Sequence, residues 1–350
     1  MNNRSEVIVI IGCDTDPDRN PKGGEIRGGE EIWEGVTKGI PELKEMFSSF
    51  VSNDNPYPSI TWLLRSDEQM NKLYNDYAYP VGYFKDMWQS FERDGDEIGW
   101  HPHLWDWSDK HGWWYPQLDD NKWTNTCLNN GYNAITKHIR ITSVRTGWDF
   151  QSNFIMKKLN DLDIIADFSA LPMQKAIVFE SKNPPYRFDW RITTEKFYHP
   201  STVDYRRAAK TGEESLKILE MPVSLTPITL SRAINKFLYH NFRYFLNKKL
   251  ARPLIPYSFH RKELMRITKN PLLFKPGVES KFKESKVENC AKYIITYFHP
   301  NELLRADLFS IENFEKNLKC LLHTSQKYDV PFRFLTATKA ANEYLTRQSL

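Results

Sequence analysis

With 350 residues, 40% of them hydrophobic and 26% charged, the chain has the composition of a globular protein large enough for one α/β barrel. No apolar run approaches the roughly 18 residues of a membrane span, and the short run 7–11 has neither the length nor the cleavage site of a signal peptide. The four cysteines are scattered with no CxxC pair, which argues against a disulfide scaffold and predicts a reduced, cytoplasmic protein.

Apolar runs suited to buried parallel strands recur along the chain, with helical segments between several of them. The predicted strands are residues 7–13, 60–64, 97–100, 141–145, 164–168, 218–223, 293–298 and 332–335. Helices are predicted where apolar residues repeat at helical spacing, over 83–93, 155–162 and 311–327. This alternation predicts a parallel sheet covered by helices, and the number of strands favours a closed or nearly closed (β/α) barrel. No glycine-rich dinucleotide fingerprint follows the first strand, which argues against a Rossmann site.

Several polar side chains lie at or just beyond the ends of separate predicted strands. They are Asp14, His101, Arg145, Asp167 and His299. In parallel barrels the working residues lie at the C-terminal ends of the strands, so these residues are expected to share one face of the barrel.

The first motif is Asp14-Thr15-Asp16, directly after the first strand. Two carboxylates on one side of an extended chain repel each other unless a cation neutralises them, so the pair is expected to attract a metal or an arginine. The alternative interpretation is a polar turn that Pro17 ends.

The second motif is Gly99-Trp100-His101-Pro102-His103. Two histidines at positions i and i+2 of an extended chain face the same way, so one ion can reach both. Together with one carboxylate, two neutral imidazoles form a three-ligand set that leaves a position open for water. The alternative is a pair of packed, hydrogen-bonded structural histidines.

Two further residues have chemistry that depends on their neighbours. Arg145 can pair with a carboxylate and fix its orientation, or it can form an ordinary surface salt bridge. His299 leaves a buried strand and could act as the acid for a leaving group, although lone histidines are usually structural.

Taken in chain order, these motifs resemble those of the polysaccharide deacetylase family, the NodB-homology or carbohydrate esterase family 4-like group. The corresponding segments are Asp14-Thr15-Asp16, Gly99-Trp100-His101-Pro102-His103, Arg145-Thr146-Gly147-Trp148, Asp167-Phe168-Ser169-Ala170-Leu171-Pro172 and Phe298-His299-Pro300. The resemblance implies a single domain over residues 1–350 with a distorted (β/α)7–8 barrel. It also implies that Asp14 is the general base, that Arg145 positions Asp14, and that His299 is the general acid, with a carboxylate such as Asp167 holding it as imidazolium.

The resemblance implies that Asp16 and His101 are metal ligands. The family's second ligand histidine usually lies four residues after the first, but position 105 is tryptophan in this chain. Either His103 takes that place from i+2, or His111 reaches in, or the metal is lost. Of these alternatives we favour His103.

The function that follows is hydrolysis of an N-acetyl group on a sugar by a divalent metal, expected to be zinc. The substrate would be an N-acetylated or a nucleotide- or lipid-linked sugar used in surface-polysaccharide synthesis. Tryptophans could wall its site, namely Trp105, Trp107, Trp113, Trp114 and Trp148. One alternative is a glycosidase that pairs Asp14 or Asp16 with Glu97. The other is a carbohydrate-binding pseudoenzyme that has lost the metal.

Residues 231–286 carry an excess of positive charge, with 14 Lys and Arg against three acidic residues. We interpret this segment as a basic insertion between the last strands. It is either a solvated surface excursion or a surface that contacts an anionic partner, such as a phospholipid headgroup or a sugar pyrophosphate carrier, and could place the protein at the membrane surface. No nucleic-acid-binding module accompanies the charge, so no nucleic-acid partner is expected.

Overall fold

The computed structural model describes residues 4–20, 24–25, 32–51, 55–109, 113–117, 120–177, 186–228, 262–307 and 309–348. Its strands are β1 (Glu6–Thr15), β2 (Arg19–Asn20), β3 (Gly24–Glu25), β4 (Ile60–Leu64), β5 (Glu97–Trp100), β6 (Trp105–Ser108), β7 (Trp113–Pro116), β8 (Ser143–Val144), β9 (Ala166–Asp167), β10 (Lys175–Ile177), β11 (Tyr186–Asp189), β12 (Leu219–Glu220), β13 (Leu225–Pro227), β14 (Lys262–Leu264), β15 (Ala291–Phe298) and β16 (Phe332–Phe334). Its α-helices are α1 (Ile40–Val51), α2 (Glu68–Tyr74), α3 (Tyr79–Tyr83), α4 (Lys85–Arg93), α5 (Asn121–Ile135), α6 (Asn153–Asp161), α7 (Pro271–Glu288), α8 (Pro300–Leu303), α9 (Ile311–Tyr328) and α10 (Ala337–Gln348).

The centre of the protein is an eight-stranded sheet in the order β12-β9-β8-β5-β4-β1-β15, with β16 also paired to β1. Every pairing in this sheet is parallel. Beyond β12 the chain returns to the other edge of the sheet, where the Ser224 backbone N–H donates to the carbonyl of Ile295 in β15 at 3.0 Å. The sheet therefore curls into a nearly closed barrel, and the predicted parallel α/β architecture is confirmed.

Strand β1 pairs with β4, β15 and β16 and is apolar on both faces. Residues 7–11 are fully buried, as expected for a parallel strand that is covered on each side. Gly12 follows them, and a Cβ atom at this position would lie 2.4 Å from the Phe168 ring. A side chain there would push β9 away from β1, so the site-bearing end of the strand requires glycine.

The positions of the predicted elements agree closely with the structure, with one correction. The segment predicted as one helix over 83–93 is two helices, α3 and α4, because the backbone at Phe84 leaves helical geometry (φ −104°, ψ 26°). Helical spacing of the aromatic residues predicted α4, but it did not reveal the separate short helix α3 before it, which has Pro80 in its first turn.

The predicted basic insertion lies partly outside the described residues, which omit 229–261. From residue 262 onward the segment is a regular part of the fold: β14 pairs with β13, and α7 buries Phe274, Val278 and Phe282. Two of its basic side chains, Lys262 and Lys281, form ion pairs with Glu195. The prediction of an insertion is therefore retained for 231–261 only. Within the described residues, no helix has both the length and the hydrophobicity to cross a membrane.

Candidate active site

The C-terminal ends of the central strands bring the motif residues together, as the parallel topology predicts. Asp14 is the last residue but one of β1, and Asp16 directly follows that strand. The two histidines follow β5, Arg145 follows β8 and His299 follows β15. All six residues are less than 10% exposed, and they are Asp14, Asp16, His101, His103, Arg145 and His299. A cluster of this many buried ionisable groups needs internal charge compensation.

Asp16, His101 and His103 point three potential ligand atoms at one another. Asp16 Oδ1 lies 3.2 Å from His103 Nε2 and 3.7 Å from His101 Nε2, and the two Nε2 atoms are 3.2 Å apart. Tetrahedral ligands with bonds of about 2.0–2.1 Å are separated from one another by about 3.4 Å. The donor set therefore fits a small divalent cation in both chemistry and spacing. His111, the alternative second histidine, lies outside the described residues.

The protonation of the two histidines suits ligation. His101 Nδ1 lies 2.6 Å from the backbone carbonyl oxygen of Arg145, and because a carbonyl can only accept, the hydrogen is assigned to Nδ1 and the lone pair to Nε2. Burial and the nearby charge of Arg65 lower the pKa of His103 to about 3. The His103 imidazole is therefore neutral at physiological pH, and the Nε2 atoms of both rings face the space between the three side chains.

Gly147 explains how a histidine at i+2 finds room. Its N–H donates to the Pro102 carbonyl at 2.8 Å, which holds the β8 loop against the histidine loop. A Cβ at Gly147 would lie only 1.7 Å from Cδ2 of His103. The glycine of the arginine motif thus leaves the space that the His103 ring occupies.

Asp14 lies beside this trio and is held by Arg145. Arg145 Nη1 forms a close ion pair with Asp14 Oδ2, and its Nη2 pairs with Asp149. The Arg145 guanidinium also stacks 3.9 Å from the centroid of the Tyr297 ring. The other oxygen, Asp14 Oδ1, is buried and has no hydrogen-bond partner among the described residues. A buried carboxylate oxygen with this unused acceptor capacity is available to a bound water or substrate.

His299 faces the two aspartates from β15. Its Nε2 lies 3.6 Å from Asp14 Oδ2 and 3.7 Å from Asp16 Oδ2. On the other side of the ring, Nδ1 lies 3.0 Å from Arg266 Nη2 and 3.4 Å from Glu302 Oε1. A guanidinium can only donate, so Nδ1 accepts in this arrangement and the hydrogen is assigned to Nε2, which points into the site.

The carboxylate beside His299 is Glu302, whereas the sequence interpretation expected Asp167. Burial would raise the pKa of Glu302, but Arg266 and His299 outweigh it and hold that pKa below its usual range. Asp167 instead accepts hydrogen bonds from the Ser169 N–H and hydroxyl and from Gln151 Nε2.

Asp167 lies next to another buried acid, Glu220, across the β9–β12 pairing. Burial raises the pKa of Asp167 to about 6, and burial together with the Asp167 charge raises the pKa of Glu220 well above its usual range. The Glu220 carboxyl therefore holds its proton to a higher pH than an exposed glutamate does. The pair supports the loop after β9, where Glu220 Oε1 accepts from the Ala170 N–H at 3.0 Å.

The carboxylate pair expected for a glycosidase does not form. Glu97 begins β5, at the end of the barrel opposite to His101, and it accepts hydrogen bonds from the Thr338 N–H and hydroxyl. Because β5 is parallel to β1, a residue at its start cannot reach Asp14 or Asp16 at the C-terminal end of β1. The interpretation that paired Asp14 or Asp16 with Glu97 is therefore wrong.

The linked ion pairs of the site leave an excess of negative charge. Five carboxylates face three guanidiniums, which gives a formal net charge of −2 with neutral histidines. They are Asp14, Asp16, Asp67, Asp149 and Glu302 with Arg65, Arg145 and Arg266. A divalent cation would neutralise this excess, which is a second reason why the donor set fits a metal.

The tryptophans predicted to wall the site divide into two groups. Trp105 and Trp114 belong to the β6–β7 hairpin and are at most 4% exposed. Trp107 and Trp148 are only partly buried, and Trp148 lies 5.3 Å from the Trp105 ring beside His103. Trp107 and Trp148 therefore expose part of their side chains to solvent. The side chain of Trp113 lies outside the described set.

Sequence reasoning missed five residues of the site, namely Arg65, Asp67, Asp149, Arg266 and Glu302. Arg65 and Asp67 follow the end of β4, so the strand-end criterion could have found them. Glu302 is three residues after His299, one helical turn away, which was also a usable signal. Arg266 lies among the basic residues of the predicted insertion, and no local pattern distinguishes it.

No family model and no curated protein sequence matches this chain. Among solved structures, the chain is similar to a "putative glycoside hydrolase/deacetylase" from Parabacteroides distasonis, with a TM-score of 0.55 and 12% identity over 98% of this chain and 71% of that chain. It also matches a "putative polysaccharide deacetylase" from Mycobacterium smegmatis, with a TM-score of 0.49 and 12% identity over 100% of this chain and 93% of that chain. The first similarity is one of fold, and it confirms the predicted distorted (β/α) barrel.

Proposed function

We propose that this protein is a metal-dependent deacetylase that hydrolyses the N-acetyl group of a sugar. The observation that carries the proposal is the trio Asp16, His101 and His103, with atoms 3.2–3.7 Å apart, directly beside the Asp14 and His299 side chains. A three-ligand set beside a candidate base and a candidate acid is the arrangement that metal-assisted hydrolysis requires.

Asp16 Oδ1 and the Nε2 atoms of His101 and His103 would hold the metal, and zinc suits a ligand set of two imidazoles and one carboxylate. When bound, the metal supplies a Lewis acid that activates water and polarises the amide carbonyl. The carbonyl of Arg145 holds the His101 ring in the tautomer that ligation needs. A neutral His103 adds no positive charge that would oppose the cation.

Asp14 would act as the general base. Its Oδ2 is held by Arg145, so Oδ1 is the atom that can accept a proton from the attacking water. Arg145 fixes the orientation of the Asp14 carboxylate through Nη1, and Asp149 pairs with Nη2 and holds the guanidinium in place.

His299 would deliver a proton to the departing nitrogen through Nε2, the ring atom that faces the two aspartates. To act as an acid it must become imidazolium, which requires a hydrogen on Nδ1. Glu302 Oε1, 3.4 Å from Nδ1, is the carboxylate that can accept that hydrogen and compensate the added charge. Glu302 thus takes the role that the sequence interpretation gave to Asp167.

The substrate we propose is an N-acetylated sugar, either free or linked to a nucleotide or lipid carrier, in surface-polysaccharide synthesis in the cytoplasm. The partly exposed Trp107 and Trp148 offer faces on which a sugar ring can pack. Contact with an anionic membrane surface through residues 231–261 belongs to the same proposal and is supported by the charge of that segment.

The test is acetate release from N-acetylated oligosaccharides and nucleotide sugars by the purified protein. Activity should disappear on exhaustive chelation and return with zinc, and Asp16→Ala should abolish it. Release of new reducing ends that survives chelation would identify a glycosidase instead. Absence of both products, with carbohydrate binding retained, would identify a pseudoenzyme.

A further inference from the structure

Two charged side chains behind the candidate metal ligands have no part in the mechanism above. Arg65 is fully buried, and Asp67 is 1% exposed. Arg65 Nε lies 2.5 Å from Asp67 Oδ2, and Arg65 Nη2 lies 3.1 Å from Asp67 Oδ1. The pair is therefore bidentate, with the geometry that gives Arg–carboxylate contacts their directional precision.

Arg65 also contacts one of the candidate metal ligands, Asp16. Its Nη1 donates to Asp16 Oδ1 at 3.1 Å, and this is the oxygen that faces both histidine Nε2 atoms. A carboxylate oxygen has two lone pairs. Arg65 uses one of them and leaves the other directed at the histidines, so the contact orients Asp16 without blocking it.

Asp67 contacts a second candidate metal ligand, His103, through its backbone. Its Oδ2 accepts from the backbone N–H of His103 at 3.1 Å, and its Oδ1 caps helix α2 by accepting from the N–H groups of Gln69 and Met70. The helix cap fixes the carboxylate, and the fixed carboxylate holds the His103 backbone in the extended position that places its ring beside His101.

We propose that Arg65 and Asp67 are positioning residues that preorganise Asp16 and His103 for a divalent cation. The inference rests on the proposed function, since it concerns the same metal. It also explains the unusual histidine spacing: Asp67 holds the main chain at His103, and Arg65 brings the Asp16 oxygen to within 3.2 Å of the His103 ring. Loss of such outer contacts typically weakens metal binding by roughly 10–100-fold.

The experiment measures cobalt(II) and zinc affinity of the intact, metal-stripped protein by visible absorption and by titration calorimetry. Asp67→Ser keeps an oxygen to cap α2 but removes the contacts to Arg65 and His103. Arg65→Lys keeps the charge but loses the bidentate fork. The matched control is Asp96→Asn, which alters a buried carboxylate at the opposite end of β4, bonded to the Ile60 N–H and Trp62 Nε1.

We expect both Arg65→Lys and Asp67→Ser to raise the Kd for cobalt by roughly 10–100-fold and to change the intensity of its absorption bands. Asp96→Asn should leave the Kd within about twofold, whatever its effect on the thermal midpoint. Wild-type affinity in both site variants would overturn the proposal, because it would show that the pair only supports the fold. Tighter metal binding in Arg65→Gln would also overturn it, because it would show that Arg65 competes with the ion. If the wild-type protein itself binds neither metal, the proposed function fails instead.

Discussion

Gly147→Ala should weaken metal binding through His103 alone. The added Cβ would lie 1.7 Å from Cδ2 and 2.2 Å from Nε2 of His103. To reach an ordinary contact distance of about 3.5–4.0 Å, the ring must retreat by roughly 2 Å. Metal–ligand bonds tolerate only about 0.2 Å. Gly147 has no positive φ, so the backbone itself accepts alanine. We therefore expect the zinc Kd to rise at least 100-fold, more than the roughly 10–100-fold typical of outer contacts.

The assay is zinc titration against a chromophoric chelator, with Gly82→Ala as the matched control. A Cβ at Gly82 meets no atom within 4 Å, so that variant should bind zinc like the wild type. In a His103→Ala background the added methyl group has no ring to displace, and Gly147→Ala should then cause no further loss. Equal zinc affinity in Gly147→Ala and Gly82→Ala would refute the assignment of His103 as a ligand.

Three further outcomes are expected. Asp14→Asn should lower acetate release by roughly 10²–10⁴-fold, as for a lost general base, while zinc content stays near the wild-type value; a parallel loss of zinc would contradict its assignment as the base. Because burial raises the pKa of Asp167 from 3.8 to about 6, its stabilising contribution is present below pH 4 and is lost as the pH rises through 6. The unfolding free energy, measured by urea titration, should therefore fall in the wild type relative to Asp167→Asn by on the order of 3 kcal/mol as the pH rises from below 4 to above 6. A difference between the two proteins that does not change with pH would refute this. Replacing Lys248, Lys249 and Arg252, which lie outside the described residues, by Glu should weaken binding to anionic vesicles at low salt; unchanged binding would leave the segment a solvated surface.

The sequence was sufficient to predict the barrel and the face on which the site lies. Strands buried on both sides have continuous apolar runs, and parallel strands place their C-terminal ends on one edge. This is why the sequence alone places Asp14, His101, Arg145 and His299 on one face, although they are separated by up to 285 positions in the chain. The i+2 spacing also predicted that His101 and His103 face the same way, because side chains alternate along an extended chain.

The partners of His299 could not be chosen from the sequence alone. Asp167 ends β9 and Glu302 lies shortly after the end of β15, and only the packed structure shows that one turn of α8 brings Glu302 beside the ring. Arg266, which follows residues 229–261 in the chain, contacts both His299 and Glu302. A parallel bridge between Arg266 and Tyr297 holds it next to β15. Long-range pairings of this kind leave no local periodicity in the sequence. Arg266 was therefore counted only as one of the many basic residues of 231–286 and was not recognised as part of the site.

The most direct test of the proposed metal centre is an anomalous-difference map from a crystal of the protein grown with zinc, recorded on both sides of the zinc absorption edge. We expect one strong peak per chain within about 2.0–2.2 Å of Asp16 Oδ1, His101 Nε2 and His103 Nε2. A peak bound by His111 in place of His103, or no peak among these three residues, would contradict this ligand assignment.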